Sequence, residues 1–211
     1  MTSTQKKQNG KSTRLAKAAN ILGVVLCGGK SKRMGTPKET LSIHRFSFLE
    51  LAVMRMRLVC SQVVISKKTM NINEPFPVLE DIPGYAGPLS GIVTALEKYN
   101  GEGILVSPVD SPFISSAFLS TLLRHRKDAD VVIPALDDIL YPTIGYYRKN
   151  CLPALKEDAS AKTMNLTSIL KDAPLRIRIL NAEELQKCGN PVKLLFNVNS
   201  PADYTRALEW A

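Results

Sequence analysis

Histidine is almost missing from this chain. The 211 residues hold two, His44 and His125, so a His-rich metal centre cannot be built and imidazole general-base chemistry has little to draw on. Long apolar runs are missing as well. None approaches the roughly 20 residues a membrane span needs, and none of the roughly 7–15 residues of a secretory signal follows the start, so no membrane is an expected partner. The four cysteines, Cys27, Cys60, Cys151 and Cys188, stand far apart with no C-x-x-C pair. Zinc and thioredoxin-type sites therefore fail on spacing, and a reduced, cytoplasmic protein is expected. Aromatics are sparse at 6% and form no ladder with Arg and Lys, so nucleic acid is not an expected partner either.

What is present is globular composition, 45% apolar and 22% charged, on a length that suits one α/β domain of ordinary size. Bases outnumber acids 28 to 19, a net charge of +9. Five of those charges, Lys6, Lys7, Lys11, Arg14 and Lys17, fall in residues 1–20, which hold no acid. Residues 1–20 read as a flexible basic tail, too poor in apolar side chains to offset the entropy of ordering. Residues 21–211 read as a single, mildly basic domain, a balance that suits phosphorylated anions.

From Ile21 the pattern changes. Ile21–Cys27 is a continuous apolar run of strand length, as expected of a strand buried on both faces. Val63–Ile65, Ile104–Val106, Val131–Ile133 and Leu194–Phe196 are shorter runs of the same kind. Helical periodicity lies between them over 48–59, 89–99, 117–126 and 201–210. Strands alternating with helices predict a three-layer α/β/α fold with a mostly parallel sheet, whose site lies beyond the carboxyl ends of the strands. The residues just after each run are thus the ones to inspect.

After the first run stand Gly28-Gly29-Lys30-Ser31-Lys32-Arg33-Met34-Gly35-Thr36-Pro37-Lys38. Paired glycines let the backbone turn sharply and aim successive N–H groups at one anion. Four nearby cations add charge, Arg as a fork and Lys as a point. A plain turn with solvated lysines would use the same residues. Two familiar phosphate loops do not fit: a Walker A loop ending in Gly29-Lys30-Ser31 needs glycine where Val24 stands, and Gly28 and Gly29 are adjacent, which breaks G-x-G-x-x-G. After the third run comes Asp110, a lone acid between Pro108 and Pro112. It is either a turn residue or the carboxylate that holds Mg²⁺ against phosphates, since that ion takes one or two carboxylates plus phosphate oxygens. In Asn197-Val198-Asn199-Ser200-Pro201-Ala202-Asp203, Ser200 predicts an N-cap, Pro201 the first helical residue and Asp203 the return partner of a capping box. Asn197 and Asn199 would share one side of a strand, and Asn199 is either a turn residue or a metal ligand. Gly84–Gly91 is a Gly-rich loop entering a helix at Pro88, and Tyr141–Tyr146 a turn leading into a strand.

Together these segments resemble the molybdenum cofactor guanylyltransferase family and, more widely, nucleotidyltransferases of its Rossmann-like fold. The family's opening motif, L-x-G-G-x-S-x-R-M-G-x-x-K, is met at every fixed position by Leu26 through Lys38. Gly87–Gly91, Asp110–Phe113 and Asn197–Pro201 also match, and Tyr141-Pro142-Thr143-Ile144 is similar to the family's H-P-T-x segment with Tyr for His. The resemblance implies that Leu26, Cys27, Gly28 and Gly29 line the nucleotide, that Lys38 and Asp81 contact it, and that Asp110 binds both nucleotide and Mg²⁺, with Asn199 as a second metal ligand. Ser66, standing where the family has an Asn that contacts GTP, is implied to bind the nucleotide as well, and Pro37 stands where the family has an Asp. The implied reaction moves GMP from GTP to the terminal phosphate of the molybdenum–molybdopterin cofactor and releases pyrophosphate, with Arg33, Lys38 and Asp110 carrying the catalysis. GTP and molybdopterin are the implied partners, together with the proteins that deliver the cofactor and the molybdoenzymes that receive it. A cytidylyltransferase, whose relatives in the same cofactor pathway also carry Pro-Lys at the place of 37–38, or another nucleotidyltransferase of this scaffold, such as one acting on a sugar 1-phosphate, is the alternative. A protein that keeps the fold and binds nucleotide without catalysis is the reading from another class.

Overall fold

The computed structural model describes residues 17–28, 34–69, 75–159 and 165–211. In chain order the elements are β1 (Ala18–Leu26), β2 (Ser42–Ile43), β3 (Phe46–Ser47), α1 (Phe48–Val59), β4 (Cys60–Lys67), β5 (Val78–Glu80), α2 (Pro88–Lys98), β6 (Gly103–Pro108), α3 (Ser116–Arg124), β7 (Val131–Leu136), β8 (Ile139–Leu140), β9 (Gly145–Arg148), α4 (Leu152–Ala159), α5 (Leu166–Asp172), β10 (Ile177–Leu180), α6 (Ala182–Gln186), α7 (Pro191–Leu194) and α8 (Pro201–Trp210). Eight strands form one sheet in the order β10-β7-β9-β6-β1-β4-β5, with β8 beside β7, while β2 and β3 make a separate hairpin. The pairs β1–β4, β1–β6, β4–β5 and β7–β10 are parallel. β9 runs antiparallel to both β6 and β7.

Strand β1 is apolar in both directions because it has a core on each face. Ile21 and Val25 belong to the cluster with α1 and α3; Leu22, Val24 and Leu26 belong to the cluster with α2, α4 and α5. Gly23 lies on the α1 side, where a Cβ would come within 2.4 Å of Met56 Cγ. Its missing side chain lets α1 lie close to the strand. The chain leaves β1 through α1 to reach β4 on one side and returns through α2 to reach β6 on the other. The strand order thus reverses at β1, and a crevice opens beyond its carboxyl end.

Two expectations are corrected. Leu194–Phe196 is not a strand: Asn190 caps α7, accepting from the Lys193 N–H at 3.1 Å, Pro191 opens the helix, and the apolar trio ends it. Asn197 and Asn199 consequently do not lie along a strand. β1 also starts at Ala18, three residues before the apolar run, because backbone pairing with Cys60 and a bond from Glu102 N–H to Asn20 C=O extend it. Among the described residues no helix is long and apolar enough to cross a membrane.

Candidate active site

Sheet register assembles the site. Leu26, the last residue of β1, pairs with Ser66 of β4 and with Pro108 of β6, and Ser66 in turn pairs with Leu79 of β5. Beyond that edge the backbone stays bonded. Cys27 N–H donates to Ser66 C=O at 2.9 Å, Val109 N–H to Leu26 C=O at 3.1 Å, and Asp81 N–H to Lys67 C=O at 2.8 Å. Leu26 and Cys27 are buried there, whereas Gly28 is exposed and a Cβ on it would meet nothing within 4 Å. Among the described residues of the nucleotide-lining set implied by the motif, Leu26, Cys27 and Gly28, it is Gly28 that presents open backbone. Gly29 and Arg33, with Lys30, Ser31 and Lys32, lie outside the described residues.

Lys38 opens a short 3-10 turn, Lys38–Thr40, and its ammonium joins the two predicted metal ligands. Nζ donates to Asp110 Oδ2 at 2.8 Å and to Asn199 Oδ1 at 2.5 Å. The Lys38 and Asp110 side chains are largely buried, 18% and 21% exposed, so the pair is shielded enough to be more than a solvated surface contact. Asp110 follows β6 and is fixed from both sides. Its carbonyl accepts from Val198 N–H at 2.9 Å, and the Arg55 guanidinium of α1 donates to Pro112 C=O. Burial of Arg55 lowers its pKa. Ser111 Oγ donates to Asn197 Oδ1 at 2.5 Å, a second tie between the loop and the C-terminal segment.

Asn199 is placed by the capping box of α8. Ser200 Oγ accepts from Asp203 N–H at 3.2 Å, while Asp203 Oδ2 accepts from Ser200 N–H at 2.9 Å and from Asn199 N–H at 3.0 Å. The box was legible in sequence; the additional grip of Asp203 on Asn199 was not.

At the other end of the same edge stands the Ser66–Asp81 pair, with Ser66 Oγ donating to Asp81 Oδ1 at 2.5 Å. Burial raises the Asp81 pKa, and the Ser66 hydroxyl, Lys68 and Lys98 oppose that rise. Asp81 follows β5 and Asp110 follows β6, three strand spacings apart, or about 14 Å at the usual separation of neighbouring strands. Lys38, Asp110 and Asn199 therefore meet at one point, and Ser66 and Asp81 form a second point along the crevice.

Asp110 and Asn199 offer two hard oxygen donors that already converge on one cation, the Lys38 ammonium. That donor set fits Mg²⁺, which completes its shell with water and substrate phosphate rather than a cage of protein ligands. In keeping with such a sparse site, no group of three or more His, Cys, Asp or Glu side chains able to hold a metal occurs among the described residues.

Residues 23–177 match the sequence family described as the MobA-like NTP transferase domain. A protein of Carboxydothermus hydrogenoformans named "Probable molybdenum cofactor guanylyltransferase" is 30% identical over 196 residues, covering 90% of this chain and 96% of its own. A protein of Bacillus cytotoxicus with the same name is 29% identical over 199 residues, again covering 90% and 96%. Among solved structures, the molybdopterin-guanine dinucleotide biosynthesis protein A of Archaeoglobus fulgidus superposes with a TM-score of 0.78 at 22% identity, covering 90% of this chain and 98% of that one. The 2-C-methyl-D-erythritol 4-phosphate cytidylyltransferase of Thermus thermophilus does so with a TM-score of 0.66 at 14% identity, covering 90% and 98%. These two structural likenesses establish the fold.

Proposed function

The chain belongs to the MobA-like NTP transferase family and is a nucleotidyltransferase; from that premise we propose that it transfers GMP from GTP to the terminal phosphate of the molybdenum–molybdopterin cofactor, releasing pyrophosphate. The observation that carries this reading is the meeting of Lys38, Asp110 and Asn199 beyond the end of β1. Two oxygen donors and one cation suit the handling of a triphosphate, and the Ser66–Asp81 point lies far enough along the crevice to meet the base of the same extended nucleotide.

An acceptor phosphate oxygen attacks the α-phosphorus in line; the new P–O bond forms as the bond to the bridging α–β oxygen breaks, and pyrophosphate leaves with that electron pair. The attacking phosphate is already ionised, so no residue has to remove a proton, which agrees with the scarcity of histidine. Catalysis is then positioning and charge stabilisation. Lys38 contributes a point charge to the phosphates, and Arg33 joins it by resemblance to the family motif. Asp110 and Asn199 would hold Mg²⁺, which supplies charge neutralisation on the reacting phosphate oxygens. Four cysteines that stand far apart in the sequence suit the reducing cytoplasm as its setting.

The test supplies molybdenum–molybdopterin and Mg²⁺ with GTP, CTP, ATP or UTP in parallel and measures pyrophosphate. GTP is expected to give product. Release with CTP and not with GTP would replace this reading by a cytidylyltransferase, and release with none would remove the molybdopterin acceptor.

A further inference from the structure

Ser66 is 2% exposed, and its hydroxyl is committed to Asp81 Oδ1 at 2.5 Å. The space for that hydroxyl is made by Gly91 on α2. A Cβ there would stand 2.2 Å from Ser66 Oγ and 2.7 Å from Leu26 Cδ2, so any larger residue would push the hydroxyl off its bond. The chain on either side of Asp81 is held as well. Asp81 N–H is bonded to β4. Ile82 N–H donates to Thr94 Oγ1 at 2.8 Å, and Ile82 C=O accepts from Ser90 Oγ at 2.9 Å. Thr94 and Ser90 are both buried on α2. A half-buried carboxylate is thus fixed through its backbone and one oxygen, while Oδ2 has no hydrogen bond among the described residues.

We propose that Ser66, given room by Gly91, is a positioning residue that orients the Asp81 carboxylate to read the base edge of the nucleotide. An ionised carboxylate only accepts hydrogen bonds. Guanine alone among the common bases sets a ring N–H beside an exocyclic amino group, two donors that match the two oxygens of a carboxylate. Cytosine and adenine set an acceptor beside their amino group and would face the carboxylate with a lone pair. This inference rests on the GTP reading above and assigns its selectivity to a residue that acts through the carboxylate.

The test measures binding of GTP, of CTP and of inosine triphosphate, which keeps the ring N–H and lacks the amino group, to the full chain by calorimetry. The wild type, Ser66→Ala, Asp81→Ala and the double variant are compared. A hydrogen bond to a charged group is worth enough that Ser66→Ala should cost GTP about ten-fold in affinity. Inosine triphosphate should lose less, so the ratio between the two ligands shrinks. Adding Ser66→Ala to Asp81→Ala should cost nothing further, because the hydroxyl acts through the carboxylate. Gly91→Ala should reproduce the Ser66→Ala pattern, and melting temperatures without nucleotide report folding separately. If the wild type selects GTP and Ser66→Ala weakens both ligands equally, or neither, the positioning role is overturned while the GTP reading stands. A further loss in the double variant also overturns it. If the wild type selects a pyrimidine triphosphate, the guanine reading and this inference both fall.

Discussion

Lys38 reaches acceptors 72 and 161 positions further along the chain, and its ammonium occupies the point where two oxygens that suit a metal converge. On the function proposed above, the amine serves as counter-ion until substrate arrives and then moves onto the phosphates. Lys38→Ala should weaken GTP binding by about ten-fold or more while leaving the KM for the molybdopterin acceptor nearly unchanged, read from steady-state kinetics with each substrate varied in turn. Asp110→Ala should abolish Mg²⁺-dependent turnover yet leave a cooperative melting transition, because Lys38 keeps Asn199 as a partner when the carboxylate is gone. Full activity in that variant would remove Asp110 from the mechanism. At this scale the motif letters named Lys38, Asp110 and Asn199, three side chains that the fold brings into contact. They did not reveal that Ser66 faces inward, because burial depends on how α2 settles against β4, and the only local sign of that approach is Gly91.

The element that brings Asn199 into reach is α8. Its sequence announces its own start, and the structure has the cap, the proline and the return carboxylate where Ser200, Pro201 and Asp203 predicted them. Ser200→Ala should cost about 1 kcal/mol in urea unfolding, the usual loss for an N-cap serine. Asp203→Ala keeps the N-cap bond but removes the return carboxylate from Ser200 N–H and from Asn199 N–H, so it should weaken Mg²⁺ affinity where Ser200→Ala, which spares the bond to Asn199, changes it less; metal titration of both variants checks this. Helices α1 and α8 follow their apolar periodicity to the residue. The trio 194–196 misleads because three apolar residues carry no period, and the decisive signal is Asn190-Pro191 upstream. β10 was not legible, and β9 was legible only as the strand into which the Tyr141–Tyr146 turn leads. Each is four residues long, and both are strands because β6 and β7 offer edges to pair with, a non-local cause that local pattern does not encode.

On the scale of the whole molecule, the half of the sheet away from the site is tied together by one buried acid. Asp130, just ahead of β7, accepts from Arg176 Nη2 at 2.9 Å, Nε at 3.1 Å and backbone N–H at 3.0 Å, and from Asn150 Nδ2 at 2.9 Å. Its own carbonyl accepts from Arg148 N–H of β9 at 2.8 Å. The Arg176 hydrogen bonds hold the Asp130 carboxyl well below the usual carboxylate range. A pKa depressed by folding adds stability above the unfolded value, about 3.9, and that stability is lost as pH falls from there toward the folded value. The melting temperature of the wild type should therefore drop as pH passes from about 4 to 3, and Asp130→Asn should be less stable at neutral pH with a flatter acid limb; thermal melts across that range measure both. Strand–helix alternation told the layered architecture and the edge that carries the site. It could not tell that β9 reverses direction between β6 and β7, since direction is set by partners and not by a strand's own residues.

The separation of 161 positions between Lys38 and Asn199 also orders events at the ribosome. Synthesis supplies the amine first, the carboxylate of Asp110 next, and the amide oxygen only after a long further stretch of chain. If these three groups form the site proposed above, an emerging polypeptide lacks its full grip on a triphosphate until the C-terminal segment has been made, and nucleotide turnover is withheld from unfinished copies.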